Sequence, residues 1–126
     1  MYKIKEDIKT TKLWWFKKRH DYNKGLVIGG TIAFILYFVL GCIVIEPHQE
    51  FEVTLFTTIF QGIAYLIAMA LANVFYSLGS IADLLFNRTN SNSFRERLFA
   101  FGYWVSVLSP SIFIIIIMYY FLINNP

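Results

Sequence analysis

The chain has 126 residues, room for one domain and not for two. Hydrophobic residues make up 57% of it and charged residues 15%. A soluble globule usually carries about 25% charge, and the apolar residues here run together instead of alternating, so an ordinary water-soluble domain is excluded. The net charge of +3 matters less than where it sits, and the single cysteine, Cys42, permits no intramolecular disulfide.

Residues 1–24 form a basic segment. Ile4, Ile8 and Trp15 recur at roughly helical spacing among Lys3, Lys5, Lys9 and Lys12, ahead of Trp14-Trp15-Phe16-Lys17-Lys18-Arg19. The pattern predicts an amphipathic interfacial helix, with Trp14 and Trp15 at headgroup depth and Lys17, Lys18 and Arg19 reaching anionic lipid headgroups. Nucleic acid is not expected as a partner, because cations and aromatics beside a span are accounted for by the bilayer surface.

Residues 25–45 carry no charge, and a helix of that length rises about 31 Å, enough to cross a hydrocarbon core of about 30 Å. The next apolar stretch, residues 52–86, is too short for two spans and a turn. It reads as one long helix whose first two-thirds cross the bilayer, with Gly79 as the place for a kink. A polar loop follows, and residues 94–123 form the third span. Ser93 with Glu96 fits a capping box, which puts the start of this helix at Phe94. Pro110 frees the carbonyl of Ser106 in mid-helix, where the hydroxyls of Ser106, Ser109 and Ser111 can compensate. Residues 124–126 are a short tail. The fold class is therefore an all-α integral membrane protein with three transmembrane helices, the second long and the third kinked at proline, behind a basic interfacial segment.

Eight of the eleven Lys and Arg residues precede the first span and the other three, Arg88, Arg95 and Arg97, flank the second loop. Basic residues in short loops stay on the cytoplasmic side. That places the N-terminus inside and the C-terminus outside, in a bacterial-type inner membrane. The sequon Asn87-Arg88-Thr89 would then face the cytoplasm and go unused.

Small residues recur every fourth position in the first span, at Gly25, Gly29, Ala33 and, after Tyr37, Gly41, and again in the second at Ala64, Ala68 and Ala72. Such faces let helix backbones approach closely, within the chain or between copies. The second helix also carries a polar line, Gln61, Asn73, Ser77, Ser80 and Asp83, which must face helices, water or headgroups because lipid tails cannot solvate it. Asp83 is the single acid within the long apolar runs and reads as an interfacial structural group beside Arg88. Glu46, His48, Glu50 and Glu52 lack metal-ligand spacing and read as a solvated turn.

No nucleophile, base and orienting group gather in the sequence, and no phosphate- or dinucleotide-binding motif is present, so neither an enzyme nor a cofactor is expected. Haem-binding respiratory anchors would place histidine within the spans, whereas His20 and His48 lie outside them. The expectation is a small non-enzymatic subunit or scaffold that associates with itself or with another membrane protein. The alternative is a homo-oligomeric channel or transporter that uses the polar line of the second helix.

Overall fold

The computed structural model describes residues 2–125, which form three long helices and no strand: α1 (Tyr2–Leu40), α2 (Leu55–Phe86) and α3 (Asn92–Asn124). Each is long and apolar enough to cross a membrane. No break separates the basic segment from the first apolar run. α1 is a single helix of 39 residues, about 58 Å long, and it closes in a π-helical turn over Gly41–Ile45.

Local chemistry sets the ends. In the π turn the Glu46 N–H donates to the Gly41 carbonyl at 3.1 Å, one residue further back than in an α-helix. The Phe51 ring lies over Gly41, where a Cβ would overlap it. α2 starts at Leu55 because Thr54 caps it: the Thr54 hydroxyl accepts from Thr57 N at 3.1 Å and the Thr57 hydroxyl accepts from Thr54 N at 3.0 Å.

α3 starts two residues before the position expected from Ser93. Its cap is Ser91, whose hydroxyl accepts from Phe94 N at 3.4 Å. Ser91 is fixed from behind by Asn87, whose amide accepts from Ser91 N at 2.8 Å and donates to Ser91 O at 2.9 Å. That clamp could not be read from the capping-box pattern. α2 runs unbroken through Gly79 and α3 through Pro110. The Ser109 hydroxyl donates to the Ser106 carbonyl at 3.3 Å, the acceptor that proline leaves without its usual partner.

α1 is the hub. Along it Trp15 meets Asp83, Arg19 meets Ser77 and Asn23 meets Asn73, so α2 is antiparallel. Thr11 meets Arg95 and Tyr22 meets Ser106, so α3 is parallel. Trp15, Tyr22 and Leu26 of α1 and Tyr76 of α2 form a small buried core, flanked by Leu98, Phe99 and Tyr103 of α3. Nearly everything else apolar faces outward, as at Phe56, Leu66 and Ile116. Three helices of this length enclose little and expose much, and such a surface needs lipid or another protein against it.

Candidate functional site

The most concentrated chemistry lies at the basic end of the bundle, where the start of α1, the end of α2 and the start of α3 meet. Asp83 and Arg95 are its centre, with side chains 0% and 2% exposed, and they form an ion pair at 2.7 Å from Arg95 Nε to Asp83 Oδ2. A charge this deeply buried is costly unless its other atoms are also bonded. Here they are. Trp15 Nε1 donates to Asp83 Oδ2 at 2.6 Å, and Asn87 Nδ2 donates to Asp83 Oδ1 at 2.8 Å. The remaining guanidinium nitrogens of Arg95 donate to Thr11 Oγ1 at 2.9 Å, to Asn92 Oδ1 at 3.3 Å and to Asn90 Oδ1. Asn90 reaches this position in a left-handed backbone conformation, φ 50°, which asparagine tolerates better than most residues.

The network continues toward the apolar half. The Tyr76 hydroxyl donates to the Trp15 carbonyl at 2.6 Å, and the Arg19 guanidinium bonds Ser77 Oγ at 2.8 Å while stacking over the Tyr76 ring. Asn23 and Asn73 exchange amide hydrogen bonds at 2.7 and 3.2 Å. Tyr22 OH pairs with Ser106 Oγ at 2.8 Å and donates to the Ala72 carbonyl at 3.2 Å. Rings pack around these groups, Trp15 edge-on to both Trp14 and Tyr76. All three helices contribute, and every link between them passes through α1 or through the Asp83–Arg95 pair.

Set against the sequence, the polar line divides. Asn73, Ser77 and Asp83 all point into interhelical bonds. Ser80 is half-buried and outside the network, and Gln61 lies far along α2 with a buried Oε1 that has no hydrogen-bond partner among the described residues. Asp83 pairs with Arg95, not with Arg88, which is exposed on the loop.

The expected headgroup aromatics also divide. Trp15 is 4% exposed and lies inside the bundle, because α1 continues straight through residue 24 and carries it between α2 and α3. Trp14 is half-buried with the Lys18 ammonium 5.7 Å over its ring, and Lys17 is exposed.

Of the small residues, Gly25, Gly29, Ala33 and Gly41 are buried. A Cβ at Gly29 would sit 2.7 Å from the Val107 carbonyl oxygen, and one at Gly25 would overlap the Tyr103 ring, so this face of α1 is filled by α3. Ala72 is half-buried, whereas Ala64 and Ala68 are exposed.

Sequence reasoning missed Thr11, Tyr22, Asn23 and, above all, Arg95, which had counted only as a marker of orientation. Chemically the cluster is closed: each polar atom of the Asp83–Arg95 centre is taken by a neighbour, which suits it to holding helices together. No protein family, curated protein or solved structure matches the chain.

Proposed function

We propose that the chain is a non-enzymatic multi-pass membrane component, a subunit or scaffold that associates with itself or with another membrane protein. Its basic end lies in the cytoplasm of a bacterial-type cell, its C-terminal tail outside, and its exposed α1 cations rest against anionic lipid headgroups.

The observation that carries this reading is the saturation of Asn73, Ser77 and Asp83 within the polar line. Asn73, Ser77 and Asp83 direct their hydrogen bonds to Asn23, Arg19, Trp15 and Arg95, which leaves them no free edge for a permeating ion. Meanwhile Ala64 and Ala68, one turn apart and both exposed, leave the outer side of α2 open to close approach by a further helix.

Two experiments test it. Purification in mild detergent with cross-linking should recover a self-associated or partner-bound form, and a bare monomer would count against the subunit reading. In reconstituted vesicles, Asn73→Leu combined with Ser77→Leu should leave assembly intact, and an ion flux that this pair abolishes would favour the channel instead. For orientation, Lys5→Cys and Asn125→Cys in a Cys42→Ala background should label from opposite faces of the membrane; labelling from one face sinks the topology.

A further inference from the structure

We propose that a crevice between α2 and α3 holds one acyl chain of an anionic phospholipid whose phosphate is met by Arg97; this rests on the membrane reading above. The crevice has a volume of about 110 Å³, with Phe75 and Gly79 of α2 on one wall, Phe101 and Gly102 of α3 on the other, and Trp15 and Tyr22 of α1 as its floor.

Two glycines hollow it out. A Cβ at Gly102 would meet nothing within 4 Å, and one at Gly79 would stop 3.5 Å from the Trp15 ring. The crevice opens sideways, since Phe75 and Phe101 at its mouth are 67% and 70% exposed.

Its interior favours an alkyl occupant. The hydroxyls of Tyr22 and Ser106 are bonded to each other, that of Tyr76 to the Trp15 carbonyl, and the Trp15 indole N–H to Asp83, so these groups have nothing to offer a polar ligand. An apolar cavity of about 150 Å³ admits benzene; this smaller space suits a few methylenes of an unbranched chain and not the ridge of a partner helix. In a bilayer, hydrocarbon chains are the surrounding solvent and fill lateral openings of this kind.

Charge selects the headgroup. Arg97 precedes Phe101 by one helical turn on the same side of α3, about 6 Å nearer the basic end. Its guanidinium is exposed and bonds its own helix at the Ser93 carbonyl, 3.3 Å away, which leaves the rest of its fork for a phosphate. Glu96 lies about 140° round the helix from Phe101 and does not face the mouth.

The test counts bound lipid by native mass spectrometry on the full chain in mild detergent, titrated with dioleoyl phosphatidylglycerol or dioleoyl phosphatidylcholine. One phosphatidylglycerol should bind about tenfold more tightly than the next, and than phosphatidylcholine. Gly102→Leu, which projects into the crevice, should remove that first tight step. Arg97→Gln should keep a single bound lipid but lose the preference between headgroups. Gly102→Ala adds a methyl that touches nothing and folds normally, so it keeps the test decisive should the leucine variant fail to fold; it should weaken the first step part-way. Wild-type binding by the leucine variant with its helical circular dichroism intact, or by the alanine variant where the leucine variant does not fold, overturns the site. Alkaline extraction separates the two readings. Release of the wild-type chain from vesicles overturns the membrane assignment, whereas retention without preferential lipid binding overturns the lipid site alone.

Discussion

Breaking the Asp83–Arg95 pair should cost more than any other pair of side-chain truncations in the chain, and the order of the single variants follows from who is left unpaired. Arg95→Met leaves a buried carboxylate with two neutral donors, Trp15 and Asn87, and strips Thr11, itself 4% exposed, of its partner. An uncompensated buried charge costs about 3–5 kcal/mol, and the lost bond to Thr11, made by a charged donor, adds about 1.5–3 kcal/mol. The loss in Asp83→Leu is of similar size, because it leaves the guanidinium buried with only the neutral acceptors Thr11, Asn90 and Asn92 and orphans the Trp15 N–H, worth about 1–3 kcal/mol, while Asn87 keeps its two bonds to Ser91. Trp15→Phe keeps the ring packing and removes one bond to a charged acceptor, about 1.5–3 kcal/mol. Asp83→Leu and Arg95→Met should each lose more than Trp15→Phe. The double variant Asp83→Leu with Arg95→Met should lose much less than the sum of its parts, since no charge is then left alone. Reversible unfolding in mixed micelles, followed by helical circular dichroism, measures all four. Because the pair is shielded from solvent, raising the salt from about 0.1 M to 1 M should change none of them appreciably. Additive losses below about 1 kcal/mol, or a strong salt dependence, would mean a solvated surface pair and would refute the burial argument.

Further outcomes follow from the same structure. Gly29→Ala should lower the detergent melting temperature, because its methyl meets the Val107 backbone at 2.7 Å and pushes α3 away at a cost of about 1–3 kcal/mol. Gly62→Ala, with open space around its Cβ, should instead be neutral or raise it. Thr54→Ala removes the hydroxyl that accepts from Thr57 N, leaving the Thr54 N–H to Thr57 Oγ1 bond, and should cost about 1 kcal/mol, read as faster amide exchange over the first turn of α2. Tyr65→Phe frees the Leu26 carbonyl and should loosen the apolar half of α2, seen as increased protease or exchange access there without loss of the Asp83–Arg95 network.

Three long helices were legible because an uncharged run of about 20 residues has few other uses. The repair of Ser106 by a neighbouring serine was legible too, because proline leaves a defined carbonyl free and a hydroxyl three residues on can reach it. The cap of α3 was not, since Ser91 and Ser93 are equally good caps in isolation and the choice falls to the Asn87 side chain. The place of Trp15 was hidden by its company. Beside Trp14 and a cationic run it resembles an interface anchor, although helix phase held the correction. Residues 11, 15, 22, 26, 29 and 33 share one face of a continuous helix, and all six are buried. Ending the first element at residue 24 divided that face in two. Arg95 escaped for a different reason, since a count of charges for topology discards direction, and its partner Asp83 lies across a loop where no periodicity connects them.

The two halves of α1 hold their neighbours by different physics, and that division bears on where association can occur. Apolar contact between helices gains little over contact with lipid, so packing there depends on backbone proximity and on a few hydrogen bonds. In the apolar half α1 meets both conditions with Gly29 against the Val107 backbone, Gly30 beneath the Tyr65 ring and the Leu26 carbonyl accepting from the Tyr65 hydroxyl. In the basic half, charged and amide groups make the joints, with rings of Trp15, Tyr76 and Phe99 excluding water around them. Both devices draw on the same face of α1, which is thereby filled. The outward faces of all three helices remain, large apolar side chains with Ala64 and Ala68 of α2 among them. Under the subunit reading a partner helix or second copy therefore approaches closest at Ala64 and Ala68 of α2, while the inward face of α1 keeps the bundle together from within.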